Sequence, residues 1–315
     1  MLNEVLRQYD LLISGEPVDL SPDNVLPSGE VLSKYRENPE LVKQMVEERI
    51  ARARDQPILF PLNKKELSGK CRTLRATGTR DGFLKLKELC KELRITIGAY
   101  SFAVLTLAQA AVYIRRSGNQ IPEDGIPRIY KDILVNLRDH LTPSPGECYM
   151  LYIAYPEVSS SLDRNASLFD TAKDMSKKVQ SILKDGKLPY FLAFEEELHT
   201  GVYSKFFNSL AEGTAAEFTP SNQGLYKHPT KFSWGQIVSS HTLGGSWCPH
   251  VANQVVLYQC VSGAMCYTIV GCDGEENTRD NEEVFDLFVY VMENSDLADC
   301  RTNLMDLVNF DLKAT

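Results

Sequence analysis

The chain has 315 residues, of which 43% are hydrophobic and 24% charged, and this composition is that of a globular protein rather than a disordered or fibrous one. Its formal net charge is -8, with 42 acidic residues against 34 basic ones. An acidic chain lacks the electrostatic attraction to phosphate that drives non-specific nucleic-acid binding, so we expect no nucleic acid among its ligands.

Helical periodicity dominates the first part of the chain. Residues 2 to 13 place their apolar side chains on one helical face, and a Gly/Pro break follows. Further along, the pattern predicts a charged helix from about Gly29 to Arg54, a short strand at Cys71 to Ala76 and an amphipathic helix at Arg80 to Leu93.

An alanine-rich apolar stretch runs from Ala99 to Ile114. It contains Ser101, Thr106 and Gln109, and it is shorter than the roughly 20 apolar residues that cross a bilayer. We therefore expect a buried helix, with Thr96 as its N-cap, and no membrane span.

Strands become frequent in the second half. The pattern predicts strands at Ile133 to Leu137, Tyr149 to Tyr155 and Gln236 to Ser240, a hairpin of Gln254 to Cys260 with Ala264 to Val270, and helices at Leu168 to Leu183 and Asp280 to Glu293. Helices alternate with strands early and hairpins dominate late. This order predicts one α/β domain with a mixed β-sheet flanked by helices, comprising a helical N-terminal segment at 1–70 and the sheet and its helices at 71–315.

The eight cysteines show no Cys-x-x-Cys spacing. Cys260, Cys266 and Cys272 are six residues apart, and apolar runs surround the first two, so we expect core packing and no metal site. The first ten residues carry Glu4, Arg7 and Asp10 and do not form a signal peptide, which favours the cytoplasm.

Four segments, taken together, resemble a known superfamily. They are Arg94–Ala99 opening the alanine-rich helix, Val135–Arg138 ahead of a turn, Ser221–Gly224, and Val251–Gln254 ahead of the hairpin. Their order is similar to that of the condensation and alcohol O-acetyltransferase superfamily, which has the chloramphenicol acetyltransferase-like fold. The resemblance covers nearly the whole chain, but it corresponds to the C-terminal lobe of a family member.

The resemblance implies an acyl-CoA-dependent alcohol O-acyltransferase of small-molecule biosynthesis. Acetyl-CoA or another acyl thioester would be the co-substrate and a small alcohol the acceptor, with no bound cofactor. By the same resemblance, Ser221 and Asn222 are candidates for donating hydrogen bonds to an acyl or acceptor oxygen. A role in forming a turn is the alternative for both residues.

The family's catalytic motif, His-x-x-x-Asp, supplies the general base on the acceptor. Four residues after the histidines of this chain stand Ser144, Tyr203, Phe232, Gly245 and Gln254, for His140, His199, His228, His241 and His250 respectively. None is acidic. Three explanations follow: the motif is encoded upstream of an internal Met, a partner chain supplies the missing lobe, or the lobe is inactive or repurposed as a binding partner or for a non-acylating reaction.

His241 is the candidate base within this chain, because it ends a predicted strand and precedes the glycines Gly244 and Gly245, where a loop could open onto a cleft. The alternative is a histidine that is exposed or capped, without a catalytic role. Cys248 and His250 lie close in sequence, but no third group that would orient them is evident, so we do not expect a Cys/His nucleophile.

Overall fold

The structure is a computed structural model that describes residues 2–17, 37–55, 59–60, 70–121, 125–142, 153–199, 216–226, 229–241, 254–272, 274–295 and 302–311. The helices in this part of the chain are α1 (Leu2–Ser14), α2 (Pro39–Asp55), α3 (Arg80–Glu92), α4 (Ile97–Arg116), α5 (Leu168–Lys184), α6 (Phe191–His199), α7 (Glu275–Glu293) and α8 (Leu304–Asn309). The strands are β1 (Cys71–Thr77), β2 (Ile129–Asp132), β3 (Val135–Asn136), β4 (Ile153–Ala154), β5 (Glu157–Ser160), β6 (Phe218–Leu225), β7 (Lys231–Phe232), β8 (Gly235–Gln236), β9 (Gln254–Val261) and β10 (Ala264–Cys272).

The helices α3, α4 and α5 begin at side-chain caps, as their sequences favour. Thr96 accepts a hydrogen bond from the backbone N–H of Ala99 at 3.0 Å, which confirms it as the N-cap of α4. Thr79 caps α3 and Ser167 caps α5 in the same way. A capping hydroxyl satisfies one of the N–H groups that every helix start leaves unpaired, and this fixes where each helix begins.

Six strands form the central sheet, in the order β1-β10-β9-β6-β2-β5. The strands β2, β6 and β9 run parallel to one another, whereas β1, β10 and β5 are antiparallel to their neighbours. The predicted mixed sheet flanked by helices is confirmed. The hairpin of β9 and β10 turns through Ser262 (φ 50) and Gly263 (φ 87), the paired positive φ angles of the turn that best matches strand twist.

One face of the sheet, here called the inner face, carries the main hydrophobic core. The helix α4 packs against α5, α7 and α8, and its core residues include Ala103, Leu107 and Ala110, each fully buried. Although α4 is long and apolar enough to cross a membrane, 83% of its apolar window is buried inside the protein. Packing in the core therefore accounts for its apolar composition.

The opposite face, here called the outer face, is covered differently at its two ends. Side chains alternate between faces along a strand, so Asp132 of β2 and Glu157 of β5 point outward, where α2 binds them. The helix α6 packs on α2 from outside. At the other end, His241 lies against outward-facing residues of β1 and β10.

Two strand predictions in the middle of the chain need correction. The run Ile133 to Leu137 is not one strand: β2 ends at Asp132, and only Val135 and Asn136 pair again, with β4. The predicted strand at Gln236 to Ser240 is also wrong. Of these five residues only Gln236 pairs, in the short hairpin of β7 and β8. Residues 237–241 have no regular structure. The backbone N–H of Ile237 donates to the Thr230 carbonyl at 2.7 Å, but no β-ladder continues beyond it in these residues.

The strand β6 was not predicted, because Pro220 and Gly224 within it are residues typical of turns. Parallel pairing on both sides overrides that local preference. The predicted strand at Tyr149 to Tyr155 lies partly outside the described residues, and so do the first residues of the predicted helix at Gly29 to Arg54.

Candidate functional site

His241 is held by both of its ring nitrogens. Nε2 lies 3.0 Å from Oγ1 of Thr77, the last residue of β1, and Nδ1 lies 3.2 Å from the carbonyl oxygen of Tyr267 in β10. The hydroxyl of Thr268 is a further 3.4 Å contact of Nδ1. His241 is partly buried and Thr77 is exposed, so the ring lies at the border of solvent on the outer face.

The partners of His241 fix its tautomer. A carbonyl oxygen only accepts hydrogen bonds, so the Nδ1 that faces Tyr267 carries the proton in the neutral ring. Nε2 then holds the lone pair and accepts from the hydroxyl of Thr77. This is the protonation pattern of a general base, with one nitrogen oriented by a backbone acceptor and the other facing an alcohol.

Ser221 and Asn222 lie on β6 but point to opposite faces of the sheet. Ser221 pairs with Leu257 of β9 on the outer face, and Asn222 pairs with Tyr258 on the inner face. Ser221 is buried and Asn222 is exposed. The two side chains therefore cannot donate to one substrate oxygen. Both residues belong to a strand, and its register is irregular after Asn222, where the Asn222 side chain accepts from the backbone N–H two residues on.

Asn222 lies at the start of α4. A Cβ placed on Gly98 would come within 2.9 Å of the Asn222 Nδ2, so the small residue at position 98 allows this close approach. The Asn222 Oδ1 accepts from the backbone N–H of Gly224 at 2.9 Å. Asn222 is the fifth of the eight residues of β6 and pairs with Tyr258, the fifth of the eight residues of β9, so it lies near the middle of these parallel strands.

His241 and Ser221 share the outer face but do not meet. Thr268, whose hydroxyl contacts His241, pairs with Leu257 of β9, and Leu257 pairs with Ser221 of β6. Thr268 and Ser221 are therefore two strands apart, which corresponds to about 10 Å. The three residues predicted from the sequence therefore occupy three positions: the outer edge at β1 and β10, the outer face at β6, and the inner face beside α4.

Lys131 is a buried polar residue that the sequence analysis did not single out. It is fully buried on the inner face of β2, and its Nζ donates to Thr106 Oγ1 at 2.6 Å and to Ser160 Oγ at 2.8 Å. Burial, with a smaller contribution from the nearby Lys178, lowers the pKa of Lys131 to about 7. The signal available in the sequence was the charged pair Lys131 and Asp132 between the apolar residues Tyr130 and Ile133.

A cluster of four charged residues joins α2 to the outer face. Arg49 donates to Asp132 at 2.6 and 2.5 Å and to Glu157 at 2.8 Å, and Arg52 also pairs with Glu157. Burial raises the pKa of Glu157 to about 7 in spite of these two guanidinium groups. A cavity of about 180 Å³ lies beside the cluster, and Phe191 and Phe194 of α6 form part of its lining.

The cysteines of the hairpin pack in the protein interior. Cys260, Cys266 and Cys272 are buried and have free thiols, which confirms the predicted core packing. Burial raises the pKa of the Cys260 and Cys266 thiols, so they are poor nucleophiles. Within the described residues, no group of three or more His, Cys, Asp or Glu could hold a metal ion. Cys248 and His250 lie outside the described residues.

The fold is that of condensation and acetyltransferase proteins, the chloramphenicol acetyltransferase-like fold. No family model matches the sequence, and no curated protein matches it. Solved structures do match. The epimerization domain from the third module of tyrocidine synthetase B has a TM-score of 0.57 at 12% identity, covering 94% of this chain and 66% of that one.

Two further structures give the same result. The condensation domain of the monacolin K polyketide synthase has a TM-score of 0.57 at 12% identity, covering 96% of this chain and 67% of that one. Trichothecene 15-O-acetyltransferase from Fusarium sporotrichioides has a TM-score of 0.56 at 13% identity, covering 85% of this chain and 55% of that one. This chain therefore spans between half and about two thirds of the length of these structures, and the resemblance is confirmed for the fold.

Proposed function

We propose that this chain is the lobe of an acyl-CoA-dependent alcohol O-acyltransferase that acts on a small alcohol in a biosynthetic pathway of the cytoplasm. The observation that carries the proposal is the arrangement of His241, with Nδ1 at a carbonyl and Nε2 at a hydroxyl, on a fold that an O-acetyltransferase also has. Acetyl-CoA or another acyl thioester would be the donor.

The chemistry requires a base because a neutral alcohol is a poor nucleophile. A positioned imidazole contributes on the order of 10² to 10⁴ in rate. Nε2 of His241 is the nitrogen that would take the proton, and the carbonyl of Tyr267 would stabilise the imidazolium through Nδ1. Asn222, exposed at the start of α4, lies on the inner face and cannot reach an acceptor held at His241 on the outer face, so we assign no acceptor contact to it.

A second lobe is part of the proposal. In the structures that this chain resembles, between a third and almost half of the chain lies outside the matched part. We infer that a further lobe, on the same polypeptide or on a partner chain, completes the acceptor site.

A non-acylating lobe is the second candidate function. It is favoured by the sequence itself, because none of the five histidines precedes an acidic residue by four positions. Such a lobe would serve as a binding partner or catalyse a different reaction.

Thiol release decides between the two functions. The purified chain is incubated with acetyl-CoA and a panel of small alcohols, and free thiol and ester are both measured. We expect ester formation that His241→Ala lowers by about 100-fold and that His140→Ala, the matched histidine control, leaves unchanged. Thiol release at the background rate would reject an acyltransferase that acts without a further lobe and would favour the non-acylating lobe.

A further inference from the structure

Thr77 presents an alcohol to a base. Its Oγ1 lies 3.0 Å from Nε2 of His241, and the tautomer set by Tyr267 makes the hydroxyl the donor in that hydrogen bond. Thr77 is exposed at the end of β1, so an acyl compound can reach its oxygen from solvent. The nucleophile Thr77, the base His241 and the orienting carbonyl of Tyr267 therefore form a series in which each group lies within hydrogen-bonding distance of the next.

We propose that Thr77 is an acyl-accepting nucleophile, activated by His241, and that this chain forms an acyl-threonine from an activated acyl compound. The substrate class is an acyl thioester or a reactive acyl ester. A hydroxyl bonded to an oriented imidazole gains nucleophilicity as its proton is withdrawn, which is how a serine or threonine becomes reactive in a base-assisted pair.

The step balances without a further reactant. Oγ1 of Thr77 attacks the carbonyl carbon, a C–O bond forms and the C–S bond of the thioester breaks. The hydroxyl proton passes to Nε2 of His241 and from there to the departing thiolate. An alcohol or water then attacks the acyl-threonine, gives its proton to Nε2, and the threonine oxygen recovers a proton as it leaves.

This inference rests on the proposed function for its donor and acceptor, but it specifies a different route. The proposed function is compatible with direct transfer from thioester to alcohol, whereas acylation of Thr77 gives a covalent intermediate and ping-pong kinetics. The alternative role of this hydrogen bond is structural, because it anchors His241, and with it residues 237–241, to β1 and the sheet (fastening). A covalent acyl adduct on Thr77 distinguishes the chemical role from fastening.

The test uses two acyl donors on the full chain. p-Nitrophenyl acetate reports acylation without requiring recognition of coenzyme A, and acetyl-CoA reports the thioester. Intact-mass and peptide mass spectrometry locate any acetyl group after a rapid quench. The variants are Thr77→Val, Thr77→Ser and His241→Gln, with Thr73→Val as the matched control, because Thr73 lies on the same strand and the same face as Thr77.

We expect one acetyl group on Thr77 in the wild type, in Thr77→Ser and in Thr73→Val. We expect none in Thr77→Val and about 100-fold slower acylation in His241→Gln. An adduct from p-nitrophenyl acetate without thiol release from acetyl-CoA would keep this inference and reject the proposed function. Thiol release and ester formation without an adduct, at equal rates in the wild type and Thr77→Val, would overturn this inference and keep the proposed function. Loss of activity in Thr77→Val that Thr77→Ser restores, with no acetyl adduct on either hydroxyl, would indicate fastening and overturn the inference as well.

Discussion

Lys131 donates to the hydroxyl of Thr106 at 2.6 Å inside the core, between β2 and α4. Thr106 in turn donates to the Phe102 carbonyl at 2.6 Å, so its oxygen is free to accept. A neutral amine has two N–H groups, and the hydroxyls of Thr106 and Ser160 accept both. An ammonium has a third, which neither hydroxyl accepts, so the geometry suits the neutral form.

The lowered pKa of Lys131 predicts a stability that increases with pH. The unfolded lysine binds a proton up to its ordinary pKa of 10.5, whereas the folded one releases it at about 7. Between these two values the unfolded state binds more protons, so the free energy of unfolding rises with pH by up to about 1.4 kcal/mol per unit. Below about 7 both states are protonated, and this contribution no longer changes.

Urea denaturation at a series of pH values across that interval measures the slope. Lys131→Met removes the titrating group with little change in side-chain volume and should flatten the dependence. Lys87→Met, at an exposed position of α3, is the control and should retain the wild-type slope. Equal slopes in the wild type and in Lys131→Met would show that Lys131 is charged in the folded protein.

The buried salt bridge of Arg49 with Asp132 should contribute far more to the free energy of unfolding than the exposed one of Arg72 with Glu282. Asp132 is fully buried, and truncation of Arg49 would leave its carboxylate without its main partner. We expect Arg49→Ala to lower the free energy of unfolding by about 3–5 kcal/mol. Arg72→Ala breaks an exposed pair with Glu282 and should cost less than about 1 kcal/mol. Chemical denaturation gives both values, and equal losses would contradict the role of burial.

The carboxylate of Glu293 joins the end of α7 to the turn after β1. It accepts from the hydroxyl of Tyr267 at 2.6 Å and from the backbone N–H of Thr79 at 2.7 Å. Tyr267→Phe removes a donor to a charged acceptor and should destabilise the protein by about 1.5–3 kcal/mol. Tyr9→Phe, at a residue that is 52% exposed, should be neutral. Thermal unfolding measures both, and a neutral Tyr267→Phe would be inconsistent with this link.

The placement of Ser221 and Asn222 predicts how their substitutions affect the proposed acyl transfer. Asn222 is exposed on the inner face, whereas Ser221 is buried on the outer face. Because the proposed base, His241, lies on the outer face, Asn222→Ala should leave kcat/KM unchanged. Ser221→Ala, two strands away from His241, should also leave it unchanged. In steady-state kinetics, a fall of about five-fold in Asn222→Ala alone, the effect of one lost hydrogen bond of about 1 kcal/mol, would place the substrate on the inner face and reject His241 as its base.

Much of the secondary structure follows from local pattern. The helix α4 is predictable from its alanine-rich run and from Thr96, because a cap and an apolar face act within a few residues. The hairpin of β9 and β10 is equally local, since adjacent strands meet through a two-residue turn. The strand β6 was missed because its partners, β2 and β9, are distant in sequence and its own residues favour a turn.

The sequence by itself determined the class of fold, the buried helix α4 and the lack of a His-x-x-x-Asp motif, since these are read from composition, periodicity and spacing. Only the tertiary structure decided which polar groups meet. Thr77 and His241 are 164 residues apart, and strand pairing brings their side chains within 3.0 Å. Strand alternation separates Ser221 from Asn222, although they are neighbours in the chain. Burial gives Lys131 a pKa of about 7, because the loss of solvation depends on every element packed around it.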